Sequence, residues 1–137
     1  MTSSNAPKIH TPKILAVDDT PDNLFLLKAI FSAENYQIIC TDSGAAAVEA
    51  AQQFLPDLIL LDIMMPGMNG YEVTQVIRQD PQTAHIPILL LTARSKAVES
   101  EGLRAGANGV LYKPFDIEAL LSRTKALLSK SVQRVDN

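Results

Sequence analysis

Cysteine is nearly absent. Cys40 stands alone in 137 residues, so no internal disulfide can brace the fold. Such a chain suits a reducing compartment and must hold together by its core, and Cys40 itself reads as one more small buried apolar residue. Positive charge is also scarce: 12 Lys and Arg against 15 Asp and Glu leave a net charge of −3. That removes the basic footprint on which nucleic-acid binding rests, so no nucleic-acid partner is expected. No apolar run approaches the length of a bilayer span and no secretory leader is visible, which predicts a cytoplasmic protein with no membrane association. One cysteine and two histidines provide no cluster with zinc-ligand spacing. Internal repeats and low-complexity linkers are missing as well.

What is present is a globular composition, 47% hydrophobic and 20% charged, in a length that allows one domain with a real core. Residues 1–12 are polar, contain Pro7 and Pro12, and read as a disordered tail in which His10 is solvated. Residues 13–130 form the expected domain, and 131–137 a short C-terminal tail. Apolar runs at 13–17, 36–40, 58–61, 87–91 and 110–113 read as strands. Amphipathic stretches between them read as helices. Thr20 and Pro21 open a helix to about residue 34, with Leu24, Leu27, Ile30 and Phe31 on its inner face. Ser43 opens an Ala-rich helix over 44–54, with Val48, Ala51 and Leu55 inward. Asn69 and Glu72 have capping-box spacing ahead of a helix to residue 79, buried through Val73, Val76 and Ile77. Ser95 is placed to cap a weaker helix to residue 105, interrupted by Gly102. A last helix over 116–129 presents Ile117, Leu120, Leu121, Thr124, Leu127 and Leu128. Five strands alternating with five helices through short connections predict a doubly wound α/β fold. Its parallel five-stranded sheet takes the order 2-1-3-4-5, the flavodoxin-like (βα)5 arrangement.

In such a sheet, ligands bind beyond the carboxyl ends of the strands. Those ends carry Asp18 and Asp19, Asp62, Thr92, and Lys113. Asp62 closes the fully apolar run 58–61 just ahead of the turn residues Met65, Pro66 and Gly67, where Ser or Asn would fold at lower cost. Each residue is bland alone, a helix cap or a solvated loop acid. Together, every polar residue that closes a core strand falls on one rim. Carboxylates this close repel: at an effective dielectric of 20, two unit charges 4 Å apart cost about 4 kcal/mol. Either one stays protonated or cations neutralise them. Lys113 supplies one positive charge, and the acids suit an oxygen-seeking divalent ion, Mg²⁺ with Mn²⁺ as a substitute. A carboxylate beside Mg²⁺, a hydroxyl and an ammonium is equipment for receiving a phosphoryl group. Asp62 is then the nucleophile, and Thr92 and Lys113 stabilise charge on the transferring oxygens.

Five separated motifs carry a resemblance. They are residues 14–19 ending in Asp18-Asp19; residues 57–70 around Asp62; residues 86–93 ending in Thr92-Ala93; residues 102–107; and Lys113-Pro114-Phe115. In this order they resemble the receiver domain of two-component response regulators, over roughly residues 12–129. The resemblance implies that Asp62 accepts a phosphoryl group from a histidine kinase or a phosphotransfer protein. It implies that Asp19, Asp62 and the backbone carbonyl of Met64 ligate Mg²⁺, with Asp18 acting through bound water. Thr92 and Lys113 then hold the phosphoryl oxygens, and the Lys113–Pro114 bond is cis. The family usually carries Tyr or Phe three residues before the lysine as a rotameric switch. Here that residue is Val110, and Tyr112 lies two residues along, on the same side of the strand.

The expected output is a change in protein–protein contacts with an unidentified downstream partner, or phosphorylation-dependent homodimerisation, rather than enzymatic turnover. Seven residues after the last helix hold no output domain, so a stand-alone receiver is expected. The alternatives are a receiver-like docking module that works without phosphate and, more remotely, an Asp-nucleophile phosphatase, which needs a second acid where Met64 stands. An FMN binder of the same topology needs a phosphate-cradling first loop, and Asp18-Asp19 repels a phosphate. His85 precedes a strand without the helical bundle of a phosphohistidine donor and reads as a surface residue.

Overall fold

The computed structural model describes residues 11–92, 96–114 and 116–136. Elements alternate along the chain as β1 (Lys13–Val17), α1 (Pro21–Ala33), β2 (Gln37–Thr41), α2 (Gly44–Phe54), β3 (Leu58–Asp62), α3 (Gly70–Gln79), β4 (Ile88–Thr92), α4 (Lys96–Ala105), β5 (Gly109–Tyr112) and α5 (Ile117–Asp136). The strands make one parallel sheet in the order β2-β1-β3-β4-β5, as the alternation predicts.

β3 and β4 are buried along their whole length because helices cover both faces of the sheet. Side chains of alternate parity therefore enter two separate cores. On one face Leu15, Val17, Ile59, Leu61, Ile88, Leu90 and Val110 meet Ala47, Ala50 and Ala51 of α2 and Val73 and Ile77 of α3. On the other, Ile14, Ala16, Leu58, Leu60, Leu89 and Leu91 meet Leu27 and Phe31 of α1 and Leu120, Leu127 and Leu128 of α5. Full burial of each Val, Leu, Ile or Phe side chain among these stabilises the fold by about 1.5–3 kcal/mol. A continuous apolar strand is thus explained by two cores, one on each face.

The sequence-predicted caps at α2 and α3 form. The Ser43 side chain accepts from the Ala46 N–H at 3.2 Å. At α3, Asn69 Oδ1 accepts from the Glu72 N–H at 3.0 Å while the Glu72 carboxylate accepts from the Asn69 N–H at 2.9 Å. Thr20 occupies the N-cap of α1, but its side chain makes no cap bond.

Three burial expectations fail, each for a local reason. Cys40 is exposed, because among the described strands β2 pairs only with β1 and forms an edge of the sheet. Leu55 is exposed, because it ends α2 in the left-handed region, φ 47°, and leaves the helix's inward stripe. Ile117 is 49% exposed, because it begins α5 beyond the edge of the core. α5 itself runs to Asp136 rather than stopping near residue 129. The N-terminal segment 1–10, with His10, and Ser95 lie outside the described residues.

Candidate functional site

The pairing register fixes where the strand-end residues fall. Val17 pairs with Leu61, so Asp18 and Asp62 leave adjacent strands at the same level. Asp62 pairs with Leu91, and Thr92 pairs with Tyr112, which brings Thr92 and Lys113 to the same rim. The sheet therefore gathers residues that are up to 95 positions apart in sequence.

Carboxylate oxygens of Asp18, Asp19 and Asp62 lie within 4.8 Å of one another. Asp18 and Asp62 are buried, whereas Asp19 is exposed. The buried Asp18 is held on all sides. Its Oδ1 accepts from the Thr20 N–H at 2.9 Å, and its Oδ2 accepts from Asn23 Nδ2 at 3.1 Å and Lys113 Nζ at 3.0 Å. Asn23 was not foreseen; its signal is its place on the first turn of α1, three residues past the cap and facing the acids. Lys113 Nζ also lies 3.6 Å from Asp62 Oδ1, so one ammonium bridges two acids. Asp62 Oδ1 accepts from the Met64 N–H at 3.3 Å. That bond and the positive φ of Gly67, 77°, shape the loop after β3. Gly70 lets α3 begin directly on the Asp62–Ile63 backbone: a Cβ there would sit 2.7 Å from Ile63 Cα and 2.8 Å from the Asp62 carbonyl oxygen.

Electrostatically the site is under-neutralised. Burial pushes the Asp62 carboxyl above the ordinary carboxylate range; Lys113 pulls it down, Asp18 pushes it up, the Met64 N–H lowers it and Asp19 raises it. Three carboxylates share one nearby ammonium among the described residues. The oxygens converge closely enough for one small ion, and an all-oxygen donor set suits Mg²⁺ or Mn²⁺ rather than zinc. The donor set thus fits a divalent cation on chemical grounds.

Thr92 is buried and its carbonyl oxygen accepts from the Lys113 N–H at 2.7 Å, so β4 and the residue after β5 are locked together at the rim. The Lys113–Pro114 bond is cis. Met64, in contrast, is 70% exposed. The neighbouring Arg94 and Phe115 lie outside the described residues. His85 is an exposed loop residue away from this rim.

Comparison with known proteins agrees with this geometry. Residues 14–125 match the response regulator receiver domain family, and the chain belongs to it. It is 42% identical over 116 residues to the response regulator PleD of Caulobacter vibrioides, covering 84% of this chain but only 26% of PleD. Identity to the protein PilH of Pseudomonas aeruginosa is 36% over 118 residues, 85% of this chain and 98% of PilH. Among solved structures, the receiver domain of the sensor histidine kinase PA1611 from Pseudomonas aeruginosa superposes with a TM-score of 0.81 at 30% identity, covering 88% of this chain and 99% of that one. That crystal holds a magnesium ion coordinated in its active site cleft. No helix among the described residues is long and apolar enough to cross a membrane.

Proposed function

We propose that Asp62 is a phosphoacceptor, and that the chain signals through contacts that change when Asp62 is phosphorylated. The observation that carries this reading is the convergence of Asp18, Asp19 and Asp62 around a single bridging ammonium, at the carboxyl rim of a receiver sheet. A carboxylate oxygen of Asp62 attacks phosphorus, the bond from phosphorus to the donor's histidine nitrogen breaks, and the imidazole leaves with the electron pair. Lys113 is placed beside Asp62 to meet the charge of the incoming phosphoryl oxygens, and Thr92 offers a hydroxyl donor at the same rim. Asp19, Asp62 and the Met64 carbonyl would hold the divalent ion, with Asp18 acting through water. Such an ion would supply positive charge to offset the acids and the phosphoryl group together. Asp18, already bound by Thr20, Asn23 and Lys113, keeps the ammonium in position. The phosphodonor is a histidine kinase or a phosphotransfer protein, the setting is cytoplasmic, and the output is an altered protein contact or self-association rather than catalytic turnover.

The test is phosphorylation by acetyl phosphate or phosphoramidate with Mg²⁺, read by mass spectrometry. The parent is expected to gain one phosphoryl group, while Asp62→Asn and parent in excess chelator gain none. Stoichiometric labelling of Asp62→Asn would overturn the assignment. Partner binding that survives unchanged in Asp62→Asn would favour a phosphate-independent docking module.

A further inference from the structure

A groove of about 450 Å³ opens where α1 meets the start of α5, lined by Asn23, Leu26 and Ile30 from α1 and by Lys113, Pro114 and Ile117. The α1 residues recur at helical spacing and so share one face. Four of the six lining residues are apolar, and Lys113 is the charged one. Leu26 is 46% exposed and Ile117 49%, so packing inside the fold does not explain why either is apolar. The groove adjoins the acids through its polar lining. Asn23 Nδ2 and Lys113 Nζ both donate to Asp18 Oδ2, at 3.1 and 3.0 Å, and the same Nζ lies 3.6 Å from Asp62 Oδ1. A molecule whose phosphoryl group meets Lys113 beside Asp62 thus has an apolar groove within reach of its other end. The volume falls in the range of small-molecule sites, and the mixture of apolar walls with a few polar groups is theirs as well.

We propose that this groove makes the protein selective among small phosphodonors, favouring acyl phosphates with an apolar acyl chain over acetyl phosphate; the proposal rests on the phosphoacceptor role of Asp62. The two ends of such a donor match the two parts of the site. Its anionic phosphoryl group suits the Lys113 ammonium, and its chain suits Leu26, Ile30, Pro114 and Ile117. A carboxylate oxygen of Asp62 attacks phosphorus, and the bond from phosphorus to the acyl oxygen breaks. The acyl carboxylate leaves with the electron pair, so no proton moves and nothing is oxidised. The chain lies in the groove before the transfer and during it. Contact with the groove therefore lowers the half-saturating donor concentration and leaves the limiting rate alone. Hexanoyl phosphate carries four more methylenes than acetyl phosphate, and each one buried is worth about fourfold in affinity. Straight-chain carboxylates leave almost equally well, because their acidities are nearly equal, so a difference between these donors reads binding rather than reactivity.

The experiment incubates the full chain with Mg²⁺ and increasing acetyl, butanoyl or hexanoyl phosphate and follows phosphoryl uptake by mass spectrometry. The half-saturating concentration is expected to fall along that series, by about tenfold or more from acetyl to hexanoyl, as fewer than two fully buried methylenes supply. The limiting rate stays the same. Ile117→Gln and Leu26→Gln, each checked for a parental urea midpoint, are expected to shrink the acetyl-to-hexanoyl ratio to about twofold or less. Phe25→Gln is the control: Phe25 is 77% exposed on α1 but does not line the groove, and its loss leaves the ratio as in the parent. Equal half-saturation by all three donors overturns the proposal and leaves the groove to a protein partner. A parental ratio in both Ile117→Gln and Leu26→Gln overturns it too, as does a ratio that shrinks equally in Phe25→Gln. Failure to take phosphate from any of these donors or from phosphoramidate is a separate result: it overturns the phosphoacceptor role, and the selectivity with it.

Discussion

At the scale of single residues, Asp62 combines burial with charge, and that sets its pH dependence. Burial is the largest influence on its carboxyl and raises it; Lys113 opposes, Asp18 adds, the Met64 N–H opposes and Asp19 adds. A carboxyl that binds its proton more tightly folded than unfolded destabilises the fold when it ionises. That penalty is absent below the unfolded value, about 3.9, and grows as pH rises through the folded value. Asp62→Asn is therefore expected to be more stable than the parent at pH 7 in metal-free buffer, with the gain shrinking toward pH 4. Urea unfolding across that range checks it, and a gain that grows on acidification would contradict it. Two buried threonines make a second, paired expectation. Thr124 is fully buried and its hydroxyl has no partner among the described residues, whereas Thr83 donates to the Ile77 carbonyl at 2.8 Å. Thr124→Val is expected to stabilise by about 1 kcal/mol and Thr83→Val to destabilise by about 1–2 kcal/mol, both read by denaturant unfolding. The acids, Thr92 and Lys113 were legible in the sequence because each interrupts an apolar run. Asn23 was not, because an asparagine on a first helical turn has many uses, and only the fold shows it facing Asp18.

At the scale of elements, strand ends and caps were legible because their signals are local: Ser43, the Asn69–Glu72 pair and the prolines lie within a few residues of what they terminate. Edge effects were not. The composition of β2 resembles that of the central strands, and only the sheet order leaves Cys40 facing out. Ile117 fits the helical stripe of α5, yet α5 starts beyond the core. Arg78 shows a longer-range limit. Its Nε donates to the Gly106 carbonyl at 2.9 Å, its Nη1 to the Ala84 and Ile86 carbonyls at 3.1 and 2.6 Å, and its Nη2 to Asn108 Oδ1 at 2.8 Å. Asn108 Oδ1 in turn accepts from the Ile88 N–H at 2.8 Å. One guanidinium thus ties the end of α3, the loop into β4 and the turn from α4 into β5. Backbone acceptors carry no sequence mark, so nothing in the primary structure foretells this. Arg78→Ala is expected to cost about 2–4 kcal/mol, and Arg78→Lys to recover little of it, since a point charge cannot reach four acceptors in a plane. Thermal unfolding of the two variants beside the parent is the measurement. Near-parental stability in Arg78→Lys would show that charge alone suffices.

At the scale of the molecule, the doubly wound order and the position of the rim were legible together, because alternation dictates parallel strands and parallel strands put all carboxyl ends on one side. If Asp62 is phosphorylated as proposed, β5 is the strand through which the change would reach the surface. Val110 is buried, and Tyr112, half-buried, packs against the same core and pairs in register with Thr92. Tyr112 is thus the aromatic ring on this strand beside the threonine, on the α2–α4 face rather than against α5. Tyr112→Ala is expected to take up phosphate at the parent rate but to lose most of the difference in self-association or partner affinity between its phosphorylated and unphosphorylated forms. Ultracentrifugation or titration calorimetry reads that ratio, and a full parental ratio would reduce Tyr112 to packing. A different consequence follows from the bond between Lys113 and Asp18, which joins the loop after the last strand to the end of the first. A chain still emerging from the ribosome has its acids long before it has the lysine that bridges them. Until β5 docks at the sheet edge, the acids keep their hydrogen bonds from Thr20, Asn23 and the Met64 N–H but lack the Lys113 ammonium that offsets their repulsion. If Asp62 is the acceptor proposed above, its site is therefore complete only after β5 has been made and docked, well after the acids themselves.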